Sequence, residues 1–294
     1  MKEDVVSYFK SLQDSICNGL EQLDSLAKFK EDLWQREGGG GGRTRVIQNG
    51  NIFEKGGVNF SEVFGEAPEF LSKERTDFFA SGVSLVIHPK SPMVPIIHMN
   101  VRYLQLGETE WFGGGIDLTP IYIAEDDATY FHHTLKAVCD RFHPSFYPDF
   151  KKWADEYFFI THRNETRGVG GIFFDHVGRA EKELKISLGQ FFEFVMALGN
   201  TFLPVYTHLV RKNKDKPYGE KEKQWQLLRR GRYAEFNLVY DRGTKFGLET
   251  SGRTESILMS LPPQANWVYN FIPEKNSEEE RTLSFLIKKM EWTK

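Results

Sequence analysis

The sequence predicts an α+β domain with a largely antiparallel β-sheet. Three observations point that way. Strand-like and helix-like stretches are interspersed without a regular βαβ rhythm, hairpin signals are frequent, and neither a repeat nor a long polar linker divides the 294 residues. Residues 1–294 are therefore expected to form one domain. With 40% hydrophobic and 27% charged residues, the chain is globular rather than disordered.

Val5, Phe9, Leu12, Ile16, Leu20 and Leu23 recur at helical spacing, which predicts one or two amphipathic helices over 4–36, stopped by the run Gly38 to Gly42. That run suits either a flexible linker or a place where backbone approaches another surface closely. Asn49-Gly50 between short strand-like runs is a hairpin signal. Residues 81–104 read as two strands joined through Pro89 to Pro95. Further helices are predicted over 125–142, 181–211 (kinked or split at Pro204), 218–230 and 277–291. Further strands are predicted at 157–161, 171–175, 233–241 and 255–261.

The bulk numbers exclude several function classes. A net charge of −3 argues against general nucleic-acid binding. Cys17 and Cys139 are the only cysteines and have no metal-type spacing, which suggests a reducing compartment. The most apolar run, 191–198, is interrupted by Glu193, so no transmembrane segment is expected. The opening Met1-Lys2-Glu3-Asp4 is neither an Arg-rich presequence nor a signal peptide, and a cytoplasmic location is expected. The 25 Phe suit a large aromatic core, or an aromatic-lined pocket for a flat ligand.

The most informative segment is Ile96-Ile97-His98-Met99-Asn100-Val101-Arg102-Tyr103. In a strand, alternate residues share a face, so His98, Asn100 and Arg102 lie together opposite Ile97, Met99, Val101 and Tyr103. Ser84 and His88 on the preceding strand would converge on the same surface. On pattern alone a solvated polar face explains this row most simply, although such faces usually carry Lys, Glu and Thr. The loop Arg163-Asn164-Glu165-Thr166-Arg167-Gly168-Val169-Gly170-Gly171 suits either anion contact through backbone N–H groups or a long turn. Arg229, Arg230, Arg232, Arg242 and Arg253 form a basic cluster. It reads as a solvated face or as partners for substrate carboxylates. There is no dinucleotide loop, P-loop or nucleophile elbow.

Several motifs in order resemble the oxygen-dependent coproporphyrinogen III oxidases, in their bacterial form. They are Ser81-Gly82-Val83-Ser84-Leu85-Val86-Ile87-His88-Pro89, Trp111-Phe112-Gly113-Gly114-Gly115-Ile116-Asp117-Leu118-Thr119-Pro120, His162-Arg163-Asn164-Glu165, the block from Arg229 to Thr244, and Ser251-Gly252-Arg253-Thr254-Glu255-Ser256. The resemblance runs from about the glycine run to Pro263. It implies an oxidoreductase of haem biosynthesis that decarboxylates two propionates of coproporphyrinogen III to vinyls, giving protoporphyrinogen IX. O2 is then the co-substrate, no organic cofactor is needed, and the enzyme is a homodimer, with 233–267 linked to dimerisation. It implies a large antiparallel sheet flanked by helices on both faces, with His98 as proton donor and Asp117 as an acid facing the pyrrole nitrogens. For such a substrate, Arg102 or Arg253 is expected to hold the reacting propionate. Ser84, Asn100, Val101, Arg102, Ser251, Gly252 and Arg253 are implied as substrate-binding residues; Ser251 stands where the family usually has Gly. A divalent metal has also been assigned to the family, with His88, His98, His132 and His162 as the matching ligands and His133 as an alternative to His132. Two rival classes remain, a non-catalytic tetrapyrrole carrier and a metal-dependent hydrolase.

Overall fold

Among the described residues a seven-stranded antiparallel sheet organises the chain, its first six strands side by side in chain order and the last strand of the chain next to the sixth. The computed structural model describes residues 1–67, 75–177, 186–249 and 253–294. In chain order the elements are α1 (Lys2–Asp24), β1 (Lys30–Gln35), β2 (Gly40–Gln48), β3 (Phe53–Glu66), β4 (Asp77–Pro89), β5 (Ile96–Leu106) and β6 (Thr109–Thr119). They continue with α2 (Glu125–Asp140), α3 (Phe146–Tyr157), β7 (Phe159–Ile160), β8 (Glu165–Thr166) and β9 (Gly170–Val177). The last are α4 (Leu188–Asn213), α5 (Glu220–Val239), α6 (Arg242–Glu249), α7 (Thr254–Leu258) and α8 (Glu278–Phe285).

Period-two alternation gives the sheet two different faces. Val83, Leu85 and Ile87 of β4 and Ile97, Met99, Val101 and Tyr103 of β5 are fully buried. They pack in one core with the apolar stripe of α1 and with Phe191, Phe194, Leu198 and Phe202 of α4. Each such side chain contributes about 1.5–3 kcal/mol relative to exposure. On the opposite face Val86, Ile96 and Ile121 pack against Trp225, Leu228 and Tyr233 of α5. Helices thus flank the sheet on both faces, and the fold is α+β.

The first helix ends at Asp24, where Ser25 adopts a left-handed conformation with φ 64°. The predicted extension to 36 is therefore wrong. Residues 30–35 form the edge strand β1, because the helical spacing stops at Leu23 and the segment pairs with β2 instead. The glycine run is a close approach rather than a linker. Gly39 and Gly40 have φ of 111° and 83°, and a Cβ on Gly40 would sit 2.2 Å from the Glu62 carbonyl oxygen. The hairpin around Asn49-Gly50 joins β2 to β3 as predicted.

The C-terminal third departs most from expectation. Residues 233–239 are helical, as the end of α5, and 254–258 form α7 rather than a strand. The Tyr-Ala-Glu-Phe-Asn-Leu-Val stretch has strand-like composition. As a helix it buries Tyr233, Phe236 and Asn237 together beside the sheet. Helix α4 runs unbroken through Pro204 and starts at a capping box between Ser187 and Gln190; its predicted start at 181–185 lies outside the described residues. Strand β6, α3 and α6 were not predicted. In β6, Gly113-Gly114-Gly115 erases the alternation a strand reading relies on.

A buried carboxylate fixes the β2–β3 hairpin to α1. Asp24 accepts from the backbone N–H groups of Ala27 (2.9 Å), Asn51 (3.1 Å), Ile52 (2.9 Å) and Phe53 (2.9 Å). Burial alone would raise its pKa, but these donors outweigh burial and hold the carboxyl below its ordinary value. Asp24→Ala should cost about 3 kcal/mol, because several buried donors lose their acceptor. Since the native pKa is depressed, the Asp24 contribution is present above the unfolded carboxyl value of about 3.9. It is lost as the pH falls through the lower native value. Urea denaturation across pH 2–6 should show this acid limb shrinking in Asp24→Ala.

Candidate active site

The sheet face opposite the α1/α4 core carries three cross-strand rows. Pairing in register places Thr44, Asn59, Ser84, Asn100 and Gly115 in one row across β2 to β6, ending on Phe173 of β9. A second row holds Trp34, Gly42, Ser61, Gly82, Arg102 and Gly113. A third holds Gly57, Val86, His98 and Asp117. Small residues dominate the first two rows, so this face is hollow where the other is filled. The resulting cleft has a volume of about 840 Å3, with His98, Asn100, Arg102, Arg167, Tyr233 and Arg253 among its lining residues. That is the size of a site for a large organic ligand.

At its floor a histidine, a carboxylate and an arginine form one unit. His98 Nδ1 lies 2.8 Å from Asp117 Oδ1. Arg167 Nη2 donates to both Asp117 oxygens at 2.7 Å, and its Nε donates to Oδ2 at 3.2 Å. Both members of the Asp117–Arg167 pair are buried, at 1% and 2% side-chain exposure. Burial alone would raise the Asp117 pKa, but the Arg167 guanidinium and the His98 hydrogen bond hold the carboxyl below its ordinary value. Asp117 is therefore an anion, and His98 must donate from Nδ1, which leaves Nε2 as the nitrogen free toward the cleft. Arg167 also donates to Asn237 Oδ1 at 3.0 Å. Its guanidinium stacks within 4.4–4.8 Å of the ring centroids of Phe158, Tyr233 and Phe236.

Two more arginines reach the cleft from its rim. Arg102 donates to Asn100 Oδ1 at 2.9 Å and pairs with Asp175 at 2.9 Å. This ion pair passes over Gly113, where a Cβ would lie 2.5 Å from Asp175 and 2.8 Å from Arg102. Arg253 pairs with Asp32 of β1. Nearby, Trp34 Nε1 donates to Thr44 Oγ1 at 3.1 Å, and Thr44 and Ser256 share a hydrogen bond of 2.6 Å.

Ser84, Asn100, Arg102, His98 and Arg253 all line this cleft. Ser251 and Gly252 lie outside the described residues. Val101 does not line it: the side chain is fully buried in the opposite core, as strand alternation requires. Asp117 does not face the cleft either, since both carboxylate oxygens are taken by His98 and Arg167. The histidines expected as metal ligands do not converge. His132 uses both ring nitrogens, on Tyr147 Oη and the Val169 carbonyl oxygen, and His162 uses both, on Glu235 and Tyr240 Oη. His88 donates to the Ser260 carbonyl oxygen from a buried position. Burial pushes both His88 and His132 down to about 3. Among the described residues no three His, Cys, Asp or Glu side chains are grouped as a metal site, so these residues do not fit the expected ion.

The basic cluster is mostly internal. Arg229 pairs with Glu165, Arg230 with Glu54 and Arg232 with Glu235, and of the cluster only Arg253 lines the cleft. The glycine-rich loop spends its N–H groups on protein carbonyls: Thr166 on Leu286, Arg167 on Phe158 and Val169 on Leu118. It is a turn, and what it supplies to the site is the Arg167 side chain. Sequence reasoning quoted Arg167 within that loop but gave it no role, because its partner Asp117 is 50 positions away.

Breaking the buried pair from one side should be costly. Arg167→Leu should destabilise the protein by about 3–5 kcal/mol by leaving Asp117 unpaired. The double variant Arg167→Leu/Asp117→Leu should recover a large part of that loss. Urea midpoints of the two singles and the double measure the coupling.

The family model for coproporphyrinogen III oxidase matches residues 4–292, nearly the whole chain. The cleft, its floor and its rim arginines all fall within that match. The chain belongs to the coproporphyrinogen III oxidase family.

Proposed function

We propose that the chain catalyses the oxygen-dependent oxidative decarboxylation of two propionates of coproporphyrinogen III to vinyl groups, giving protoporphyrinogen IX. The observation that carries this reading is the cleft itself: a histidine on a buried carboxylate at the floor, with arginines at the rim. A reduced tetrapyrrole is broad and partly apolar, with carboxylates at its edge, and it needs walls and cations in that arrangement.

Each decarboxylation removes a hydrogen from the propionate β-carbon and CO2 from its end, forming the C=C bond and releasing two electrons. O2 takes the two electrons and two protons and leaves as hydrogen peroxide. An electron-rich porphyrinogen can give electrons to O2 directly, so the protein's task is to hold, orient and move protons. Arg102 grips the reacting carboxylate with its guanidinium fork and fixes its torsion, and Arg253 holds a second carboxylate. His98 handles the proton at Nε2 while Asp117 keeps its tautomer and orientation. Asp117 is a positioning residue here, held in turn by Arg167 through their buried ion pair.

The enzyme acts as a cytoplasmic homodimer in this reading. The run 267–272, next to the stretch linked to dimerisation, supports the dimer: Tyr269 is 99% and Ile272 76% exposed. Among the described residues no helix is long and apolar enough to cross a membrane.

Anaerobic incubation with coproporphyrinogen III followed by admission of O2 tests the reaction. Two CO2 and a divinyl product should appear per substrate, only after O2 enters. Binding without CO2 release would mark a carrier instead, and activity abolished by a chelator would mark a metal enzyme. Asp117→Asn should lower kcat by about 100-fold or more through loss of the His98 tautomer. Arg102→Ala should lower kcat/KM by a similar factor. Near-normal turnover in either variant removes the role assigned to that residue.

A further inference from the structure

Strand β1 carries a feature that the proposed reaction has not yet used. Asp32 and Trp34 share one face of it, and Arg36 is the first residue after its end. Asp32 holds Arg253, Trp34 lies over Gly42, and Arg36 lines the far rim of the cleft. Trp34 and Arg102 stand in the same cross-strand row, four strands apart, which is about 19 Å at roughly 4.8 Å per strand. Arg36 is thus across the cleft from the clamp at Arg102.

Of the arginines lining the cleft, three have carboxylate partners: Arg102 has Asp175, Arg167 has Asp117 and Arg253 has Asp32. Arg36 has none among the described residues; its one side-chain hydrogen bond is Nη1 to the Phe64 carbonyl oxygen, at 3.3 Å. Its backbone is nevertheless fixed. The Arg36 N–H donates to the Gly40 carbonyl oxygen at 2.9 Å, and the Gly39 N–H donates to the Arg36 carbonyl oxygen at 3.0 Å. The guanidinium rests on Gly38, where a Cβ would come within 2.7 Å of it. The glycine run therefore builds a tight turn that presents to the cleft one arginine with no carboxylate partner among the described residues.

We infer that Arg36 is a substrate-binding residue that grips a propionate retained through the reaction, at the rim opposite Arg102. This rests on the proposed tetrapyrrole reaction, which supplies an anion of the right spread. A guanidinium with free N–H donors and a fixed backbone is suited to bidentate carboxylate recognition.

The test uses Arg36→Gln and Arg36→Lys in the full chain, with two fluorescent porphyrins as probes: coproporphyrin III with four carboxylates and mesoporphyrin IX with the two retained ones. Arg36→Gln should weaken both probes about tenfold, because a retained carboxylate is common to both. Steady-state turnover should show KM for coproporphyrinogen III rising by a similar factor, more than kcat falls, and Arg36→Lys should restore part of the loss. Unchanged probe affinity, a loss confined to kcat, or no rescue by lysine would overturn the inference. If Arg36→Gln behaves as wild type while the wild type decarboxylates, only the Arg36 assignment fails. If the wild type neither binds the probes nor releases CO2, the functional reading fails and takes this inference with it.

Discussion

The buried pair between Asp117 and Arg167 is the interaction on which the site depends. Two charges at 1% and 2% side-chain exposure are costly to bury, and their mutual attraction offsets that cost only when the geometry is close and the remaining donors and acceptors are met. Both conditions hold. The carboxylate takes three guanidinium hydrogen bonds and one from His98, while Asn237 accepts another from Arg167. One ion pair therefore joins β6, the loop after β8, β5 and α5. It also sets which nitrogen of His98 meets the cleft. Orientation of the proton-handling group follows from the same contacts that hold the fold closed at this point.

The hollow on this side of the sheet has an equally simple origin. Register brings Gly42, Ser61, Gly82 and Gly113 into one row and Thr44, Asn59, Ser84 and Gly115 into the next. Large side chains at those positions would fill the space that a flat ligand needs. Gly113 adds a second effect, since its missing Cβ lets Arg102 reach Asp175 across an intervening strand. The apolar face beneath has no such economy and is packed with Val, Leu, Ile, Met and Tyr. Cavity and core are thus two readings of one period-two sequence.

That alternation is why so much of the central sheet was legible beforehand. Ile97, Met99, Val101 and Tyr103 against His98, Asn100 and Arg102 is a local pattern, and both its faces lie where spacing puts them. The edges were not legible, because their conformation is decided by contacts distant in sequence. Residues 30–35, Lys-Glu-Asp-Leu-Trp-Gln, are largely charged and helix-tolerant, and only pairing with β2 makes them a strand. Residues 233–239 favour a strand by composition, and burial of Tyr233, Phe236 and Asn237 on one helix overrides it. The site shows the same division. The row on β5 came from spacing, whereas Asp117 came only from resemblance. Arg167 had no local signal of its role, since what defines it is a carboxylate 50 positions earlier.

Charge bookkeeping within the cleft explains why composition gave no hint of an anionic ligand. Arg102, Arg167 and Arg253 each carry an internal carboxylate, so these three cations are balanced before any ligand arrives, and the chain as a whole stands at −3. The three pairs are not equivalent. Arg167 is sealed, and its partner cannot be exchanged without leaving a buried charge. Arg102 and Arg253 are 29% and 38% exposed, so a ligand carboxylate can share or replace Asp175 and Asp32 at modest cost. On the proposed reaction this graded pairing has a kinetic consequence. Each propionate converted to a vinyl removes one anchor, the internal carboxylate recovers its arginine, and the product is held by fewer charges than the substrate. Release is then favoured by the chemistry itself, while the sealed pair beneath keeps His98 in register for the next turnover.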